Sequence, residues 1–240
     1  MVQSASKIRV PSRRDDSPDS AEVLLLTAER LYAERGLDAV SMREIAREAE
    51  QKNNSALHYH FGSKEALVRA ILNVRMAQVE TRRNIYLDQC LAAKREGVRV
   101  AIEALIRPMA EGLVSRNASN YYNRFLAASR AHSDVDIVTL TAPETEVGFR
   151  RVYAMLSDAL PALAPVLLRQ RYLTSLGFIV FSLADFERLK SRRTQQHRGF
   201  DMERAIENLI DMVAAAMAAP VSQDVEARMS EREQAGHDPD

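Results

Sequence analysis

The chain has 240 residues, with 33 Lys and Arg against 33 Asp and Glu, and is 46% hydrophobic and 28% charged. That supplies enough apolar material for one large or two small domains with a buried core. It contains no apolar run of the roughly 18 residues that a membrane span needs, and no Gly-rich GxGxxG or GxxxxGK[ST] cradle for a nucleotide. The basic residues Lys7, Arg9, Arg13 and Arg14 are not followed by the apolar stretch of a secretory signal. One cysteine, Cys90, cannot pair internally, which suits a reducing cytoplasm.

Residues 1–19 are rich in Ser, Arg, Asp and Pro and read as a disordered basic arm. Helix formers dominate from there to residue 219, without the alternation of a strand. A first helix is expected to start after Ser20, as its N-cap, and to run to about Arg35, where Gly36 stops it, with Leu24, Ala28, Leu31 and Tyr32 on one stripe. Ser41-Met42-Arg43-Glu44 is a capping box and opens a short second helix with Met42, Ile45, Ala46 and Ala49 inward. After the polar Glu50-Gln51-Lys52-Asn53-Asn54 a third short helix is expected over 54–61, with Leu57 and Phe61 inward. Gly62-Ser63 breaks the chain, and Ser63 caps a long helix running past Arg82.

Further helices are expected over 98–116, where Pro108 predicts a kink, then over 121–132 and about 143–160. Two long ones follow. Tyr172, Leu176, Ile179, Val180 and Leu183 mark the first; Ile206, Leu209, Ile210, Val213 and Met217 mark the second. The basic stretch from Arg188 to Arg198 reads as a loop or a fraying helix end, and the acidic 220–240 as a disordered tail. None of the five histidines follows a Glu by three positions, and HExxH and CxxC are absent, so no metal, cofactor or catalysis is expected.

Three short helices, the second and third joined by a polar turn, suggest a helix-turn-helix. The residues sharpen this. Ala28-Glu29-Arg30-Leu31-Tyr32-Ala33-Glu34-Arg35-Gly36, then Ser41-Met42-Arg43-Glu44-Ile45-Ala46, then Tyr59-His60-Phe61-Gly62-Ser63-Lys64-Glu65-Ala66-Leu67 resemble the TetR/AcrR family of bacterial transcription regulators. The resemblance implies an all-α fold. Residues 20–66 would form a helix-turn-helix head, and 67–219 a helical bundle for ligand binding and dimerisation. It also implies a cytoplasmic repressor released from a near-palindromic double-stranded DNA operator by a small-molecule effector. A transcription activator, a regulator controlled by a protein partner, or a helical-bundle enzyme or carrier are the alternatives.

One departure stands out. Most family members carry Ala-Gly-Val-Ser in the turn, whereas this chain has the longer Ala49-Glu50-Gln51-Lys52-Asn53-Asn54-Ser55-Ala56-Leu57, where Asn53 or Asn54 can take the positive φ of the missing glycine. In the DNA complex, Asn54, Ser55, Ala56, His58 and Tyr59 would face the major groove, Asn54 reading adenine and Ala56 touching a thymine methyl. Tyr59, His60, Lys64, Ser41 and Arg43 would hold phosphates, with Lys52 beside them in the turn. The basic arm would reach an adjacent minor groove. Composition nominates Met109, Tyr121, Tyr122, Phe125, Phe149, Met155 and Phe178 as the effector's apolar wall, with Arg107 and His132 orienting its polar end. The two long helices would form a four-helix dimer seam through their apolar stripes, and the helix from Ser63 would transmit the signal.

Overall fold

A computed structural model describes residues 20–50, 61–114, 121–132, 147–191 and 200–235. Among them the protein is all-α: α1 Ser20–Arg35, α2 Met42–Glu48, α3 Lys64–Ala92, α4 Val98–Val114, α5 Tyr122–Arg130, α6 Val147–Ala159, α7 Pro165–Ser191, α8 Met202–Ala218 and α9 Gln223–Ala235. The arm over 1–19 and all of the expected helix over 54–61 except Phe61 lie outside the described residues.

The starts and stops are those the local chemistry dictates. Gly36 adopts φ +83° and its amide bonds the Tyr32 carbonyl at 2.9 Å, ending α1. Ser41 Oγ accepts the Glu44 amide at 3.2 Å, and Ser63 Oγ accepts the Ala66 amide at 3.1 Å, so both serines cap as expected. The left-handed residue that closes α2 is Glu50, at φ +53°. Asn53 and Asn54, the residues expected to take a positive φ in this turn, lie outside the described residues.

α3 runs 29 residues, well past Arg82, and spans both the head and the body. α4 lies at the centre of the body, packed on α3, α6, α7 and α8. Pro108 sits inside α4 without ending it. Its missing N–H leaves the Ala104 carbonyl without its helical donor. Arg83, buried on α3, donates its Nε to that oxygen at 3.2 Å.

One continuous core runs from Leu24 to Met217. α7 and α8 pack in opposite directions: Arg171 Nη1 bonds the Met217 and Ala219 carbonyls at 2.8 and 2.6 Å, closing the end of α8, while Phe186 meets Phe200 at the far end. The stripes expected to join two subunits are instead buried within one chain. Tyr172, Leu176, Ile179, Val180 and Leu183, with Ile206, Leu209, Ile210, Val213 and Met217, all belong to the internal core. The physical reason is that α7 and α8 must first cover α4, and the strongest apolar face of each does so.

The tail also departs from expectation, since residues 223–235 form α9. The Ser222 carbonyl accepts the Val225 and Glu226 amides at 3.0 and 3.1 Å. Asp224 and Glu226 in the first turn suit the positive helix end, and Gln, Ala, Arg, Met and Glu are good helix formers. The low hydropathy that suggested disorder reflects a helix exposed on nearly every side. Among the described residues no single helix is long and apolar enough to cross a membrane, and no group of three metal-ligating side chains occurs.

Candidate functional site

The head is built from α1, α2 and the first turns of α3. Leu24, Ala28, Leu31, Ile45, Ala46, Leu67 and Ile71 interlock in its core. Ion pairs brace α1 against α2: Arg35–Glu44 at 2.5 Å and Arg30–Glu48 at 3.6 Å. The Arg35 guanidinium holds the Glu44 carboxyl below the usual carboxylate range, helped by Arg47 and the Ser41 amide. Ser41 and Arg43 stand exposed at the start of α2. Lys64 is half-buried in the first turn of α3, its Nζ 6.0 Å from the centre of the Tyr32 ring. Backbone amides at two capped helix starts and these side chains suit phosphate oxygens. Lys52, Asn54, Ser55, Ala56, His58, Tyr59 and His60 lie outside the described residues.

The head is docked on α5. Tyr32 of α1 stacks on Phe125 with ring centres 6.2 Å apart, and His132 Nε2 lies 2.9 Å from Asp38 Oδ1. The salt bridge Arg75–Glu29, at 2.7 Å, ties α3 to α1. Glu29 is nonetheless pushed up, because burial outweighs the guanidinium.

The body encloses an apolar cavity lined by Met76, Val79, Leu105, Met109, Tyr122, Leu126, Phe149, Leu176, Ile179 and Val180, with Glu80, Arg83 and Arg130 as its charged groups. Its free space is about 30 Å³, little more than a water molecule occupies. A larger guest needs side-chain movement, for which Met76 and Met109 are suited. Burial pushes the Tyr122 phenol up to about 12.

Of the residues nominated from composition, Met109, Tyr122 and Phe149 line this cavity. The others do not. Arg107 is on the outer side of α4, paired with Glu207 at 2.6 Å and Glu103 at 3.6 Å. Tyr121 lies against Arg124. Phe125 and His132 face the head. Phe178 is 46% exposed on α7. Met155 lines a separate groove with Leu87, Leu91, Arg95 and Arg151. Composition misled here because it does not say which side of a helix a residue occupies, and a short helix such as α5 has two buried sides, one on the cavity and one on the head.

The charged residues were missed for a related reason. Glu80 and Arg83 form a pair at 2.7 Å, and Arg83 lies over the Phe149 ring at 4.1 Å. Arg130 sits two turns beyond Tyr122 on α5. The spacing Tyr122, Leu126, Arg130 places all three on one helix face, and that was the available signal.

Two family profiles match the chain. One, described as bacterial regulatory proteins of the tetR family, covers residues 24–71; the other, a tetracyclin repressor-like C-terminal domain, covers residues 103–216. Among solved structures, a TetR-family regulator from Streptomyces coelicolor A3 is similar at 18% identity and a TM-score of 0.37, over 86% of this chain and 99% of that one. No curated protein matches. The head profile takes in α1, α2 and the capped start of α3, and the body profile takes in the cavity residues from Leu105 to Val180, so the chain belongs to the TetR family of DNA-binding transcription regulators.

Proposed function

We propose that this regulator is a cytoplasmic, dimeric repressor that leaves a near-palindromic operator when a small molecule fills the α3–α7 cavity. The observation that carries the reading is the double duty of α5. Tyr122, Leu126 and Arg130 line the cavity, while Phe125 and the following His132 hold the head. A guest that displaces α5 or α3 moves the head, and two reading helices then no longer match successive major grooves.

Specific contacts come from the segment carrying Asn54, Ser55, Ala56, His58 and Tyr59. Lys52, His60, Ser41, Arg43 and Lys64 supply phosphate contacts. Dimerisation uses the faces of α7 and α8 that the core leaves open: Phe178, Phe181 and Met212 are 46%, 48% and 50% exposed. An apolar row of this kind on the last two long helices favours a two-fold seam.

Selection of bound duplexes from a random pool tests the reading. A palindromic consensus is expected; equal binding to random and selected DNA overturns sequence-specific regulation.

A further inference from the structure

We propose that the cavity selects an amphipathic anion, an apolar body ending in a carboxylate, with Arg130 as its anchor. This rests on the reading of the cavity as the effector site. Three charged groups, Glu80, Arg83 and Arg130, stand on its wall. Glu80 is fully engaged: Oε1 accepts from the Gly148 amide and from Asn84 Nδ2 at 2.9 Å, and Oε2 accepts from Arg83 at 2.7 Å. Gly148 lacks the Cβ that would stand 2.7 Å from that carboxylate, so Glu80 closes the start of α6.

Arg83 is engaged as well, by Glu80, by the Ala104 carbonyl freed at Pro108 and by the Phe149 face. The pair is neutral, and both members are committed to the fold. Arg130 is different. It is half-buried at the wall and has no carboxylate partner among the described residues. A Cβ on Gly177 would stand 3.3 Å from its Nη2, so the glycine allows the guanidinium to lie close against α7.

A guanidinium with no carboxylate partner among the described residues, beside an apolar cavity, favours one guest charge. Its planar fork matches a carboxylate in two parallel hydrogen bonds, and the low-dielectric wall strengthens the pairing. A cationic guest would meet a like charge there, with Glu80 already taken by Arg83. The aliphatic lining and the two methionines suit a chain or a small ring system in place of a polar body.

Calorimetric titration of the full chain with n-decanoate, 1-decanol and decyltrimethylammonium, each below its micellar concentration, tests this. Decanoate is expected to bind at least tenfold more tightly than decanol, and the ammonium least. Arg130→Gln should remove the carboxylate's advantage and Arg130→Lys should keep part of it, with folding checked by thermal melts. The wild-type ranking alone decides the matter if a variant fails to fold. Equal binding of acid and alcohol, or preference for the ammonium, overturns the anion selectivity. If Leu176→Trp still abolishes such binding, the cavity remains the effector site. Binding that survives Leu176→Trp, or no binding of any probe, overturns the cavity reading and this proposal together.

Discussion

Glu50 stands where the chain must turn left-handed after α2, at φ +53°. A non-glycine residue there costs roughly 1–2 kcal/mol. Glycine relieves that, less about 0.5–1 kcal/mol of its own extra freedom in the unfolded chain. Glu50→Gly is therefore expected to stabilise the protein by about 0.5–1 kcal/mol, since Glu50 is exposed and has no ion pair among the described residues. A thermal melt followed by circular dichroism checks it, and a lower midpoint would contradict the strain argument. The missing glycine was legible in the sequence, whereas the positive φ at Glu50 was not, because glutamate carries no local signal for it; the Asn53 and Asn54 candidates lie outside the described residues. Lys64 makes a second case. Its place at the capped start of α3 was readable from Ser63-Lys64. Lys64→Ala is expected to weaken binding to every duplex alike and to reduce the slope of log affinity against log salt by about one unit. A change in sequence preference with an unchanged salt slope would remove Lys64 from the phosphate contacts.

At the scale of elements, the helices themselves were legible, and so were caps supplied by a helix's own neighbours, but caps supplied from afar were not. Ser41 and Ser63 announce α2 and α3. α5 begins at Tyr121 with no side-chain cap of its own. Its Asn123 and Arg124 amides are instead accepted by the buried Glu187 of α7 at 3.1 and 3.4 Å, with Arg124 Nε at 3.0 Å. No short-range pattern reports such a partner. Burial pushes the Glu187 carboxyl above its ordinary 4.5, against the opposing pull of Arg124. The folded chain then holds a proton more readily than the unfolded one, so this group's contribution to stability falls as pH rises from about 4.5 through the raised value. Relative to Glu187→Gln, the wild type is expected to lose stability over that interval, measured as the difference between denaturation midpoints at each pH; parallel curves would refute the assignment. The same helix carries the signal in the mechanism proposed above. α3, the expected route, bears both Lys64 and the cavity residues Met76, Val79 and Arg83, which is the connectivity such a route needs. α5 adds a second, through Phe125–Tyr32 and His132–Asp38. His132→Ala should leave effector affinity of the free protein within about twofold, yet shrink the factor by which effector and operator weaken each other, which is typically worth about 1–3 kcal/mol. Calorimetric titration with and without operator reads that factor, and an unchanged factor would leave α3 as the sole route.

For the whole molecule, the sequence reading separates cleanly into what periodicity can and cannot report. It located α7 and α8 and ranked their most apolar faces correctly, because the 3.6-residue repeat of Leu176, Ile179, Val180 and Leu183 is strong. It could not tell which surface those faces meet, since burial in a core and burial between subunits obey the same pattern. Packing decides it: Leu209 and Val213 are 3% and 1% exposed within one chain. Replacing them with Asp would bury unpaired charge in the core and unfold the protein, so such a variant says nothing about assembly. The open face is weaker in sequence, where Phe178 and Phe181 are bordered by Gly177 and Ser182, and Met212 stands between Asp211 and the inward Val213. Phe178→Glu combined with Phe181→Glu places like charges across a two-fold seam, where each residue meets the vicinity of its own copy. These side chains are about half exposed already, so the single chain should keep its fold and its melting midpoint should move little at low concentration. The expected outcome is a folded monomer in analytical ultracentrifugation. Its affinity for a full palindromic operator should fall toward that for an isolated half-site, because linking two heads raises the effective concentration of the second by geometry alone. Decanoate affinity, set inside one subunit, should change far less than operator affinity. A double variant that remains dimeric would move the seam elsewhere, and a monomer that binds the full operator as tightly as the wild type would separate dimerisation from DNA recognition.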